Sequence, residues 1–206
     1  MAGKQAKILS DAQVERMLAW CETARYPLRN KVVVLLSVKA GLRAMEIAGL
    51  CRYHVTDALG AVDDVIHLEN RICKKGSGRL VPMHPLLRDA IAELLGEDDA
   101  SPAWPLVRSE RAVREDPHEP GTACVQSMTP RSIVQLFQAM YRALGFHGCS
   151  SHSGRRTFIT RAARQISKAG GSLRDVQQLA GHSNLTTTQR YIEGDSDAKR
   201  RVVALI

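Results

Sequence analysis

Behind Ser10, the apolar residues Val14, Met17, Leu18 and Cys21 recur at helical spacing, and Gln13 completes a capping box with that serine, so a first helix is predicted here. A second apolar segment, 32–40, stops at Gly41, and a new helical stretch opens near Arg43 with Ile47, Ala48 and Leu50 turned inward. Between Val55 and Val81 the period changes. Short apolar runs at 65–68 and 79–81 flank Lys74-Lys75-Gly76-Ser77-Gly78, the pattern of a β-hairpin with a basic, glycine-containing tip. Residues 85–95 read as a helix. The proline-containing stretch 96–128 has little periodicity and is expected to be a long irregular connection with a short buried piece around 104–107. Thr129-Pro130 supplies an N-cap and a first-position proline for a helix through Ile133, Leu136, Phe137, Met140 and Leu144, closed by Gly145. After His152, the residues Phe158, Ile159, Ala162, Ala163 and Ile166 share one helical face; 172–180 form a short helix stopped by Gly181, and 187–192 a last one. The fold class that follows is α+β: one mainly helical domain over residues 1–191 with a small antiparallel β-sheet of about three strands, and a tail at 192–206.

Composition narrows the setting. A hydrophobic share of 44% beside 24% charged residues is that of an ordinary globular chain of 206 residues, which argues against disorder. No apolar run approaches the roughly 20 residues of a bilayer span, and the first seven residues carry lysines without a signal-peptide core behind them. Cys21, Cys51, Cys73, Cys124 and Cys149 are odd in number, scattered and free of any Cys-x-x-Cys pair, as befits reduced thiols. A cytoplasmic protein with no membrane partner is expected. The formal net charge of +8 favours a polyanionic partner, nucleic acid first among them, although charge alone is weak evidence.

Attack on a phosphodiester needs a nucleophile, cations for the non-bridging oxygens, a proton donor for the leaving alkoxide and a proton acceptor. Arg43 and Arg155 suit the cationic role because a guanidinium donates two parallel hydrogen bonds to a phosphate. Lys74, at the hairpin tip, can reach a leaving oxygen. His152 and Arg155, three positions apart, share a face if their segment is helical; His182 follows Gly181, and Tyr191 lies in Thr187-Thr188-Gln189-Arg190-Tyr191. A phenol of pKa about 10 needs a cationic neighbourhood or a base before it attacks at neutral pH, and this basic set provides one.

The four blocks Ala40-Gly41-Leu42-Arg43-Ala44-Met45-Glu46, Lys74 through Arg79-Leu80-Val81-Pro82, His152-Ser153-Gly154-Arg155-Arg156-Thr157-Phe158, and Leu179-Ala180-Gly181-His182 through Tyr191 resemble, in order, the catalytic signature of the tyrosine recombinases, or phage integrases. The resemblance implies that Arg43 and Arg155 balance charge on a scissile phosphate and that Lys74, with Lys75 as the fallback, protonates the leaving 5′ oxygen. It further implies that His152 assists proton transfer, His182 hydrogen-bonds the phosphate, Glu46 orients the site and Tyr191 forms a 3′-phosphotyrosyl link. Neither metal, ATP nor any other cofactor is then required. The implied partners are double-stranded DNA, further copies of the chain on that DNA and an accessory protein, with the molecule associated with the nucleoid when bound.

Two departures from the pattern stand out. Relatives carry an N-terminal DNA-clamping domain, which this sequence, with its first block near residue 40, is expected to lack. Ser153-Gly154 replaces an Asp-Leu pair, and Gly154 is expected to loosen the start of its helix. The tail, basic at 199–201 and apolar at 202–206, is expected to dock in trans on a neighbouring protomer, with folding back on its own core as the alternative.

Each residue also has an ordinary role open to it: Arg43 as a solvated charge, His182 as a helix C-terminal cap, Tyr191 as a core aromatic. Cys149 and His152 have Cys-x-x-His spacing, but no second half with ligand spacing accompanies them, so no metal site is expected. The alternative function is a non-catalytic DNA-binding regulator using 172–191 as a helix-turn-helix-like segment. A metal-dependent nuclease would need clustered carboxylates, and the blocks offer only Glu46.

Overall fold

The capping box at Ser10 opens helix α1 (Asp11–Glu22): Ser10 Oγ accepts from the Gln13 amide and Gln13 Oε1 accepts from the Ser10 amide. The computed structural model describes residues 6–96, 100–110, 114–116, 119–191 and 203–204. Helix α2 (Pro27–Lys39) starts on a first-position proline and buries Val32, Val33, Val34, Leu35, Leu36 and Val38. Such a helix, apolar nearly all round, belongs at the centre of a domain. Helix α3 (Ala44–Gly49) has Arg43 as its N-cap. Strand β1 (Val65–Leu68) then pairs with β2 (Arg79–Pro82) in the antiparallel register Val65↔Pro82 to Leu68↔Arg79. Helix α4 (Pro85–Leu95), the ladder of β3 (Arg114–Asp116) with β4 (Glu119–Cys124), and helices α5 (Pro130–Ala143), α6 (Ser153–Gln165), α7 (Leu173–Ala180) and α8 (Leu185–Gln189) complete the order. Helices α1, α4 and α6 pack on α2, and α3 packs on α5.

Most apolar residues form one core that runs from Leu9 to Phe146 in sequence. A second, small cluster consists of Ile159, Val176 and Ala180, against which Phe158, Ala162, Ala163, Ile166, Leu173 and Tyr191 pack. The C-terminal helices therefore rest on a satellite of the main core.

Several expectations meet the structure directly. Thr129 caps α5 by accepting from the Ser132 amide, and Gly181 ends α7 in the left-handed conformation. Leu106 and Val107 are buried within the expected piece at 104–107, and the Leu106 amide donates to Leu50 O. That stretch is not wholly irregular, because it also holds the β3–β4 ladder. Glu-Pro-Gly-Thr-Ala-Cys has no alternation to announce a strand, and the pairing rests on main-chain groups. Among the described residues the strands thus form two separate two-stranded sheets, where about three in one sheet were expected. Helix α8 begins at Leu185, earlier than expected, because Asn184 accepts from the Thr186 amide and caps it.

Helix α6 runs through Gly154, and the glycine has a packing role that its helix propensity does not reveal. It is buried where α6 crosses α2, and a Cβ there would overlap Ser37 Oγ and lie 3.0 Å from Val38 Cγ1. The missing side chain brings the two helices together. The expected trans-docking of the tail falls on 192–206, of which only Val203 and Ala204 are described.

Candidate active site

Glu46 is the fixed point around which the cations gather. Its carboxylate is wholly buried in the first turn of α3, where Oε2 accepts from the Arg43 amide at 2.8 Å and Oε1 from Arg43 Nη1 at 2.7 Å. From β2, Arg79 places Nη1 at 3.1 Å from Oε1 and Nη2 at 3.2 Å from Oε2, a two-pronged pair, while its Nε donates to Leu179 O at 2.8 Å. From α6, Arg155 donates to Gly41 O and to Ala180 O, each at 2.5 Å, and its Nη1 stands 4.0 Å from Glu46 Oε2. Burial would raise the Glu46 pKa, but hydrogen bonds and charge from Arg79, then Arg43, outweigh it and hold the group below its ordinary value. Three guanidinium groups around one carboxylate leave an excess of positive charge.

That excess acts on His182. Arg155 Nη2 lies 3.1 Å from His182 Nε2, and His182 Nδ1 lies 3.0 Å from Thr188 Oγ1. Because a guanidinium only donates, Nε2 is the acceptor and the ring proton sits on Nδ1, directed at the threonine. Burial, followed by the charges of Arg155, Arg43 and Arg79, pushes the His182 pKa down to about 4, so the ring is neutral at pH 7. Arg155 is itself pushed down to about 10, by burial first and Arg43 second, and stays charged at neutral pH.

Two clefts meet at this cluster. One, of about 380 Å³, is lined by His152, Arg155, Thr187 and Tyr191 among others. The other, of about 280 Å³, is lined by Arg43, Lys74, Lys75, Ser77, His182 and Thr187. Thr187 borders both, and the Arg155–His182 contact joins them. The Tyr191 ring stacks on His182 with centroids 5.5 Å apart and 25° between planes, and Thr160 Oγ1 donates to Tyr191 O at 3.4 Å. His152 is the exposed N-cap residue of α6, and its carbonyl accepts from the Arg156 amide at 2.9 Å, so it and Arg155 sit in the first turn and face one cleft, as their spacing predicts. Lys74 and Lys75 are both exposed on a single-turn 3-10 segment, Lys74–Gly76.

The structure thus brings Arg43, Lys74, Lys75, His152, Arg155, His182 and Tyr191 to two adjoining clefts, with Glu46 beneath them. Arg79, quoted in the sequence within the second block but given no role, is a full member of the buried network, its side chain only 7% exposed. One signal was present: Arg79 and Val81 are two apart in a strand and share a face, and Val81 is core. Gly181 belongs with it, for a Cβ there would come within 2.8 Å of Arg79 Nη1.

Comparison with known proteins extends this geometry. The model described as "Phage integrase family" matches residues 7–197. Tyrosine recombinase XerD of Pseudomonas aeruginosa is 31% identical over 195 residues, 90% of this chain and 56% of that protein. Tyrosine recombinase XerD of Ralstonia nicotianae is 29% identical over 195 residues, 90% of this chain and 55% of that one. The chain spans about half the length of the curated relatives it matches. Among solved structures, the XerA recombinase superposes with a TM-score of 0.68 at 21% identity over 96% of this chain and 64% of the other. XerH recombinase, in its post-cleavage complex with palindromic difH substrate, gives 0.70 at 18% identity over 99% and 54%. At these identities the superpositions establish the fold.

Proposed function

The chain belongs to the phage integrase family, matched over residues 7–197, and from that premise we propose that it cleaves and rejoins double-stranded DNA at specific sites through a 3′-phosphotyrosyl link on Tyr191. The observation that carries this is the convergence of Arg43, Arg155 and His182 around one buried carboxylate, beside a cleft lined by Tyr191. A phosphate seated there meets guanidinium donors already held in place, so charge that develops in the transition state is stabilised without reorganisation.

In this scheme Tyr191 Oη attacks phosphorus and the bond from phosphorus to the 5′ oxygen breaks. The phenolic proton passes to His152, and Lys74 gives a proton to the departing 5′ oxygen. Arg43 and Arg155 hold the non-bridging oxygens, and His182 hydrogen-bonds one of them. A phosphotyrosyl ester is close in energy to the phosphodiester it replaces, so a 5′ hydroxyl reverses the step without ATP. Assembly of several copies on DNA, docking of the 192–206 tail on a neighbour and help from an accessory protein belong to the same proposal. In keeping with it, solved relatives include a lambda integrase dimer bound to a core site and a Tn1549 transposon integrase with circular intermediate DNA. No helix among the described residues is long and apolar enough to cross a membrane.

The binding-only alternative draws on α7, the turn at 181–184 and α8. Against it, α8 has five residues, and the His182 ring turns inward to Arg155 and Thr188. The two are separated by incubating the protein with a pool of nicked duplexes of randomised sequence and recovering DNA covalently joined to protein under denaturing conditions. Adduct from the unaltered chain and none from Tyr191→Phe is the expected result. Duplex retarded on a native gel with no adduct would overturn the strand-cleaving proposal in favour of a regulator.

A further inference from the structure

We propose that Arg79 is a positioning residue for the leaving-group acid: it ties the lysine-bearing hairpin tip to Glu46 and so holds Lys74 against the scissile phosphate. This rests on the strand-cleaving function above. Lys74 sits at an exposed tip, where an ammonium on a flexible stem has little to fix it. The tip, however, is anchored from behind. Arg79 Nη1 reaches Ser77 O at 3.4 Å, and Ser77 Oγ donates to Lys74 O at 3.0 Å. The same guanidinium grips both oxygens of Glu46 and the carbonyl of Leu179. One side chain therefore links the tip, the carboxylate that orients Arg43, and the end of the helix that precedes His182. Gly181 gives it room, since any side chain there would press on the guanidinium. Arg79 lines neither of the two clefts, so its effect on cleavage travels either through the tip or through the phosphate-facing groups beside it, Arg43 by way of Glu46 and His182 by way of Leu179 and charge.

These two routes differ in what they do to the leaving group. The bond between phosphorus and the 5′ oxygen breaks with its electron pair going to that oxygen, which takes a proton from Lys74 Nζ. With a bridging 5′ sulfur in its place, the leaving group is a thiolate, whose conjugate acid has a pKa of about 8.5, and it departs without an acid. A duplex recovered by the covalent capture above is therefore made in ordinary and 5′-bridging sulfur forms, and the rate of adduct formation is measured for both.

Arg79→Lys keeps a charge near Glu46 but loses the two-pronged hold; Arg79→Met loses both, and Arg79→Lys alone decides should Arg79→Met not fold. On the ordinary duplex Arg79→Lys is expected to be slower by roughly 10- to 100-fold, in the range of a displaced general acid. On the sulfur duplex it returns to within a few-fold of the unaltered chain, as Lys74→Ala does, and Lys74→Ala/Arg79→Lys is no slower than Lys74→Ala. Equal deficits on both duplexes, or defects that multiply in the double variant, overturn the positioning role and leave strand cleavage intact. Failure of the unaltered chain to form adduct with either duplex overturns strand cleavage itself, and this inference with it.

Discussion

Arg155 Nη2 stands 3.1 Å from His182 Nε2, and this contact is the seam between the two clefts. Nε2 accepts from Arg155, and Nδ1 donates to Thr188 Oγ1 at 3.0 Å, so both ring nitrogens are engaged. Under the proposed function, a phosphate oxygen reaching His182 would take the place of one of these two partners.

His182 binds its proton near pH 4 in the folded chain and near 6.5 when exposed. Between those values the unfolded chain holds more protons, so stability rises with pH, is fully present above about 6.5 and is lost as pH falls toward 4. His182→Gln is expected to flatten the stability change between pH 7 and pH 5.5 in urea titrations. A residual slope comes from His54 and His84, which burial lowers in the same sense. An unchanged slope in the variant would sink this account of the site.

Gly154→Ala places a methyl group against Ser37 Oγ, and unfolding titrations are expected to show a loss of about 1–3 kcal/mol, as for overpacked cores. Ser37 Oγ is buried without a partner, so Ser37→Ala alone is expected to cost close to nothing. Combined, Ser37→Ala should recover part of the Gly154→Ala loss. Strict additivity would mean that the two residues do not meet.

At Gly181 two demands coincide: φ is +59° and Arg79 occupies the space of a side chain. Asparagine tolerates this backbone better than alanine does. If conformation alone mattered, Gly181→Asn would cost clearly less than Gly181→Ala. Both Gly181→Asn and Gly181→Ala are instead expected to lower stability by at least about 1 kcal/mol and to slow adduct formation, because each brings a Cβ.

Lys75 is the one described non-glycine residue with positive φ, at +59°. Lys75→Gly relieves that strain, so melting experiments should find it neutral or stabilising, with cleavage nearly unchanged. Lys74→Ala should leave stability alone and slow cleavage by about 100-fold. The reverse pattern would move the leaving-group role to Lys75.

The helices were legible because their signals are local: Ser10 with Gln13, Thr129 with Pro130 and Gly181 each fix an end within a few residues. The grouping of Arg43, Lys74, His152, Arg155, His182 and Tyr191 at adjoining clefts was legible because they lie in ordered blocks of recognisable type. Arg79 escaped because its partners, Glu46 and Leu179, are 33 and 100 positions away, and the one local signal, its alternation with core Val81, says which face it takes but not what it meets there. The packing role of Gly154 was hidden for the same reason: its helix propensity is local, while its fit against Ser37 depends on the crossing of two distant helices. The β3–β4 ladder lacks side-chain alternation, so only its main-chain pairing reveals it.

The satellite cluster of Ile159, Val176 and Ala180 has a consequence for how the molecule breathes. So few buried groups give α7, α8 and the turn at Tyr191 a lower free energy of sub-global opening than helices α1 to α5, which share the large core. Amide hydrogens of 173–191 should exchange with deuterium well before those of α2. The last two helices can then open without unfolding the large core, and the Arg79 and Arg155 bonds to Leu179 O and Ala180 O are what such opening has to break.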